Sequence, residues 1–164
     1  MFNTTIATQI YAKICFEATN SQKKIIENLS EYLSDDDFSR IFVLNGFAGT
    51  GKTTLIAALV AALKELRIKP VLLAPTGRAA KVLARYCGEQ ALTIHKRIYR
   101  QRTNADYESK FSLDFNREQG AVFIVDEASM LSDSTGDGAL FGSGSLLEDL
   151  VLSLIHISEP TRRT

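Results

Sequence analysis

Cysteine is nearly absent. Cys15 and Cys87 are the only two in 164 residues, and neither has a partner at metal-ligand or redox spacing, so both read as buried or incidental thiols. Long apolar runs are also lacking: the longest, Leu55 to Leu63, falls well short of the ~20 residues of a membrane span. No membrane helix is expected. Met1 to Gln9 has neither the basic region nor the apolar core of a secretory signal, and the expected location is cytoplasmic. A surplus of one charge is missing too, with 19 Lys plus Arg against 19 Asp plus Glu, so net charge gives no hint of a polyanionic partner. At ~150 residues per domain there is room for one compact domain and none for two full lobes. What is present is ordinary for a soluble globular protein: 45% hydrophobic and 23% charged residues, too apolar for a disordered chain.

Asn20 and Ser21 followed by Ile25, Ile26, Leu29 and Leu33 predict a capped amphipathic helix over 20–34, ending at the acidic run Asp35 to Asp37, a solvated loop. Ile41 to Leu44, bounded by Asn45 and Gly46, predicts a short strand buried on both faces. Thr53 to Leu66, rich in Ala and Leu, predicts a helix. Val71 to Ala74 predicts a second strand halted by Pro75 and Gly77, Ala79 to Tyr86 a helix, and Thr93 the N-cap of another short helix. Ala121 to Val125 predicts a third buried strand. Between them, Gln101 to Gln119 is polar with alternating Phe111, Leu113 and Phe115, as in a small hairpin or insertion, and the glycines at 136, 138, 142 and 144 predict a flexible loop. Strands alternating with helices imply a parallel sheet with right-handed crossovers, so the fold class is α/β. No internal repeat is visible.

Gly46-Phe47-Ala48-Gly49-Thr50-Gly51-Lys52-Thr53 fits the phosphate-binding pattern G-x-x-x-x-G-K-[ST]. Glycines at these places let backbone N–H groups turn inward around phosphate oxygens at the positive end of the helix that follows. Lys52 reaches the β- and γ-phosphates in such a loop, and the Thr53 hydroxyl is a ligand of Mg²⁺. Gly46, Ala48, Gly49, Thr50, Gly51, Lys52, Thr53 and the adjoining Thr54 are the expected contacts of ATP. Phe123 to Glu127 is an apolar strand ending in two carboxylates. In a parallel sheet that end lies on the edge that carries the phosphate loop, so Asp126 is expected to hold Mg²⁺ and Glu127 to polarise the attacking water. Lys52, Asp126 and Glu127 are the expected catalytic residues.

From Arg78 to Arg102 seven basic residues (Arg78, Lys81, Arg85, Lys96, Arg97, Arg100, Arg102) face one acid, Glu89. Arg78, Lys81 and Arg85 share a helix face, and Lys96 with Arg100 repeats the spacing. Such faces suit a sugar-phosphate backbone, with Tyr86 or Tyr99 available for base stacking; a solvated surface explains the charges equally well.

Four segments together resemble the superfamily-one DNA helicases, specifically the RecD-like group that includes the phage Dda type. GFAGTGKT resembles helicase motif I, APTGRAAKVL (Ala74 to Leu83) motif Ia, TIHK (Thr93 to Lys96) the segment after it, and VDEASM (Val125 to Met130) motif II. The likeness covers roughly residues 20–150. It implies the N-terminal RecA-like lobe of a P-loop NTPase, with ATP and Mg²⁺ as cofactors and single-stranded DNA as partner, tracked five-prime to three-prime. By the same likeness Gln22 reads the adenine edge, Pro75, Thr76 and Arg78 contact DNA phosphates, and His95 has a DNA-side or hydrogen-bonding role; Lys81, on the basic face with Arg78, is a further expected DNA contact.

The sequence departs from that family after motif II. A glutamine-bearing motif III and the second RecA-like lobe, whose arginines complete the ATP site, are missing, and Arg162 and Arg163 are the only arginines after Arg117. Leu152 to Arg162 looks like the translation of a transposon-end sequencing adapter. The expected organisation is therefore a native lobe over 1–150 and a non-native tail over 151–164, with weak ATP turnover and no unwinding by the isolated chain. The alternative reading is a non-catalytic nucleotide and single-stranded DNA binding module. A small P-loop kinase is disfavoured, because no acceptor lid is visible and Glu127 suits hydrolysis better.

Overall fold

The computed structural model describes residues 2–35, 40–47, 49–102, 110–114, 116–131 and 143–155. The chain divides into two compact units, residues 1–70 with 84–89, and residues 71–83 with 90–164. The fold is α/β, with a parallel sheet accompanied by helices. No described helix is long and apolar enough to cross a membrane.

The first unit is built from helices α1 (Phe2–Lys13), α2 (Asn20–Ser34) and α3 (Lys52–Glu65), with α1 lying against both others. Ile6 and Ile10 of α1, one turn apart, are buried, as are Ile26 and Leu29 of α2. Six residues of α3, from Leu55 to Leu63, are buried as well, which explains why its apolar positions run almost all round the helix. The N-cap of α2 is Thr19, ahead of the expected Asn20 and Ser21: its hydroxyl accepts from the N–H of Gln22, and the Gln22 side chain accepts from the N–H of Thr19. This is a reciprocal capping box, readable in Thr19-x-x-Gln22. Helix α3 ends in a Schellman motif, with Ile68 N–H bonded to Leu63 O at 2.8 Å and Arg67 N–H to Lys64 O at 3.0 Å. Arg67 occupies the left-handed position there, with φ 60°.

The expected strand over Ile41 to Leu44 does not form. The segment joins no ladder among the described residues, and Ile41 and Val43 are 68% and 79% exposed. Among its described residues the other elements of this unit are helices, so within the unit the run meets no strand with which to share hydrogen bonds. Phe42 is held instead by the ring of Tyr32 (centroids 5.5 Å apart), whose hydroxyl donates to the carbonyl of Arg40 at 2.8 Å. Asp35 pairs with Arg40; Asp36 and Asp37 lie outside the described residues.

The second unit takes residues 71–83 of strand β1 (Pro70–Ala74) and helix α4 (Gly77–Cys87), then β2 (Ala91–Thr93), α5 (Ile94–Ile98), a hairpin of β3 (Tyr99–Arg102) and β4 (Lys110–Leu113), β5 (Val122–Val125) and α6 (Leu146–Ile155). The sheet order is β2-β1-β5, with Leu72 opposite Ala91 and Ala74 opposite Thr93 in parallel register. Val71 to Ala74 are all buried, as a central strand of a parallel sheet requires. Val71, Leu73, Ile94, Ile98, Tyr99 and Leu150 form the core, with Phe111, Leu113, Phe123 and Val125 packed against it. The expected hairpin is present, its strands antiparallel with Tyr99 opposite Leu113 and Gln101 opposite Phe111. Phe115, residues 103–109 and the glycines at 136, 138 and 142 lie outside the described residues.

Helix α6 spans the expected boundary at 150/151. Glu148 is exposed, but two other polar residues of the helix are buried: Asp149 accepts from the Tyr99 hydroxyl at 2.6 Å and from the Ser143 N–H at 2.9 Å, and the Ser153 hydroxyl donates to Asp114 O at 2.6 Å. Ser153 O accepts from Asn116 N–H at 3.1 Å.

Candidate functional site

The glycine-rich loop lies in the first unit and opens directly into α3. Gly49 and Gly51 have φ of 78° and 84°, in the left-handed region that other residues enter only at a cost. Lys52 is the first residue of α3, and its ammonium donates to the carbonyls of Gly46 and, at 2.7 Å, Phe47. The Thr50 hydroxyl donates to the same Phe47 carbonyl at 2.8 Å. The loop is thus wrapped around the lysine head. The first bond of α3 runs from Leu55 N–H to Gly51 O, so the N–H groups of Lys52, Thr53 and Thr54 precede the helix ladder. Gly51, as N-cap, makes no side-chain bond to them. These donors, the positive helix end and the lysine suit a phosphate chain. Ala48 lies outside the described residues, and the Phe47 ring stands 88% exposed beside the loop.

Gln22 touches this loop from α2. Its Nε2 donates to the Thr50 carbonyl at 3.3 Å while its Oε1 caps Thr19, so both polar atoms of the amide have protein partners. The adenine-edge expectation took no account of either bond.

The acidic pair belongs to the second unit. Asp126 N–H donates to Leu73 O at 3.0 Å, carrying the β5 to β1 ladder one residue past the strand. Its Oδ1 accepts from the Glu127 N–H, also at 3.0 Å. Glu127 has φ 55° and begins the single 3-10 turn Ala128–Met130; a non-glycine residue in that region stores roughly 1–3 kcal/mol of strain. Asp126 is half-buried and Glu127 exposed.

Because the strands are parallel, their carboxyl ends share one edge of this sheet. That edge carries Asp126 and Glu127 after β5, Pro75 and Thr76 after β1, and His95 in the helix after β2. Thr76 caps α4, its Oγ1 accepting from Ala79 N–H at 3.2 Å and its carbonyl from Ala80 N–H at 2.9 Å. Arg78 and Lys81 are exposed on α4, and His95 is exposed with its ring 5.7 Å from that of Tyr99.

Part of the basic stretch serves the fold. Helix α5 stops at Ile98, where pairing of Tyr99 with Leu113 takes over, so Arg100 lies on a strand and does not share a helix face with Lys96. Arg100 pairs with Asp114, and Arg97 lies 5.6 Å over the Phe123 ring and 3.8 Å from Glu118. Tyr99 is 8% exposed and bonded to Asp149, which removes it as a stacking platform, whereas Tyr86 is exposed.

The Thr53 hydroxyl and the Asp126 carboxylate, one in each unit, are each hard oxygen donors of the class Mg²⁺ takes from a protein. Among the described residues no group of three or more His, Cys, Asp or Glu side chains converges on a metal position.

The chain is similar to the ATP-dependent RecD2 DNA helicase of Deinococcus radiodurans, 29% identical over 114 residues. That alignment covers 70% of this chain and 15% of the helicase, so the chain spans a small part of that protein's length. The profile of the family described as AAA domain matches residues 17–140, a stretch containing Gln22, the glycine-rich loop and the acidic pair. With well over half of its residues inside that match, the chain belongs to the AAA domain family.

Proposed function

We propose that this chain is the ATP-binding motor lobe of a RecD-like DNA helicase that couples ATP hydrolysis to five-prime to three-prime movement on single-stranded DNA. The observation that carries the reading is the loop: Gly49 and Gly51 in the left-handed region, Lys52 at its centre, and three helix-end donors with no side-chain cap. MgATP supplies the phosphoanhydride whose cleavage releases the free energy. The loop amides and Lys52 hold the phosphates, Thr53 and Asp126 position the magnesium ion, and Glu127 takes a proton from the attacking water. Pro75, Thr76, Arg78, Lys81 and His95 contact the DNA. Pro75, Thr76 and His95 share a sheet edge with the acidic pair, which is a short route for coupling the two events. Similarity to a DNA helicase over 114 residues of the chain supports the assignment.

In this family the second RecA-like lobe contributes arginines to the ATP site, and an arginine finger is worth ~10³–10⁵ in rate. The isolated chain should therefore bind MgATP, turn it over weakly and unwind nothing. Isothermal titration with MgATP tests the site: Lys52→Ala should abolish binding, and unchanged affinity in that variant rejects the loop. ATPase activity stimulated by single-stranded DNA separates a competent motor lobe from a module that only binds.

A further inference from the structure

Two observations meet at Gln22. Its amide is bonded at both ends, Oε1 accepting from the Thr19 N–H at 2.9 Å and Nε2 donating to the Thr50 carbonyl at 3.3 Å. Gly51 lies so close that a Cβ there would stand 2.9 Å from that same Nε2. Gln22 is fixed by the α2 cap on one side and set directly against the glycine-rich loop on the other.

We propose that Gln22 is a positioning residue of the phosphate loop, setting the orientation of the Thr50–Gly51 peptide irrespective of the base; this rests on the loop being the triphosphate site. A trans peptide is planar, so a carbonyl and the N–H that follows it point in opposite directions. Bonding Thr50 O to Gln22 therefore turns the Gly51 N–H away from α2 and fixes it as one of the loop donors that grip phosphate oxygens. Glycine makes the bond consequential, because the backbone at Gly51 can rotate where another residue could not. The capping box restricts Gln22 in turn, since its Oε1 cannot leave Thr19 without exposing the first turn of α2. Reading an adenine edge requires an acceptor and a donor, and these are the two amide atoms already engaged here.

Titrations of the full chain with ATP, GTP and inorganic triphosphate, each with Mg²⁺, test the inference in wild type, Lys52→Ala, Gln22→Glu and Gln22→Met. Binding lost in Lys52→Ala establishes the loop as the site; a wild-type chain that binds none of the three, or binding indifferent to Lys52→Ala, ends both readings. With the loop established, Gln22→Glu and Gln22→Met should each weaken all three ligands by a common factor, roughly three- to tenfold. Both should also move the Gly51 amide resonance in the ligand-free protein. Glu retains the oxygen that caps α2, so a frayed helix does not account for its effect; Met is uncharged, so repulsion does not account for its effect. Weakening confined to ATP identifies a base reader and overturns the inference, as does weakening by only one variant or by neither.

Discussion

Tyr99→Phe removes one oxygen from the core of the second unit and leaves the ring in place, so its cost isolates a hydrogen bond from packing. The hydroxyl donates to Asp149 at 2.6 Å, a carboxylate with no solvent exposure whose other oxygen, Oδ1, has no hydrogen-bond partner among the described residues. After the substitution the Ser143 N–H is the one donor to that carboxylate left among the described residues. A hydrogen bond to a charged group contributes ~1.5–3 kcal/mol, and leaving a buried acceptor short of donors puts the expected loss near ~2 kcal/mol. Urea unfolding followed by circular dichroism measures it. The double variant Tyr99→Phe with Asp149→Leu should lose less than the sum of the single variants, because it buries no stranded carboxylate. Burial, then the bond to Asp149 and the charge of Asp149, raise the Tyr99 pKa well above that of an ordinary phenol. A pKa higher in the folded than in the unfolded chain means the stabilisation is intact below about pH 10 and lost as pH rises through the folded value. Tyrosinate absorbance should therefore show at least one of the five tyrosines still protonated at about pH 11 in the folded protein, ionising only on unfolding. A Tyr99→Phe variant within ~0.5 kcal/mol of wild type, the scatter of ordinary surface substitutions, refutes the reasoning.

Arg67→Gly should stabilise the protein by up to ~1 kcal/mol, seen as a raised melting temperature, because Arg67 holds the left-handed position that closes α3. A fall in melting temperature would show that the side chain contributes more than its backbone strain costs. Gly51→Ala should cost ~1–2 kcal/mol from its φ of 84° and weaken MgATP binding as well, since the new methyl displaces the Gln22 amide; unaltered binding would contradict the close approach. Arg78→Ala with Lys81→Ala should weaken single-stranded DNA binding and reduce its salt slope by ~1.4, about 0.7 per lost phosphate contact; an unchanged slope would exclude that face from the interface.

Legibility followed the range of the interactions. The glycine-rich loop could be read from eight consecutive residues because the shape of a phosphate chain dictates glycine, lysine and threonine at set places. Likewise β1 and β5 were evident as short apolar runs, and Thr93 caps α5 as expected, its Oγ1 accepting from Lys96 N–H. Helix α1 escaped notice, since Thr4, Thr5 and Thr8 weaken its helical signal and Ile6 and Ile10 gain meaning only from α2 and α3. Ile41 to Leu44 shows the converse error: a run apolar enough for a buried strand becomes one only if another strand pairs with it. Lys96 and Arg100 kept helical spacing across a point where cross-strand pairing overrides periodicity.

Asp149 is the clearest case of what one segment cannot carry. An acid in the first turn of Leu146–Ile155 reads locally as the solvent face of an amphipathic helix, yet it is buried because its partner, Tyr99, lies fifty positions away. Gln22 has the same character at the candidate site, since its second bond reaches a carbonyl twenty-eight positions along the chain. A motif reports the groups that meet a ligand, because the ligand's chemistry restricts their identity and spacing. The groups that hold those in place answer only to the fold, and many residue types at many separations can fill the role. Sequence reading is therefore strongest for a local pattern such as the glycine-rich loop, and weakest for side chains such as Gln22 and Asp149 whose partners lie far along the chain.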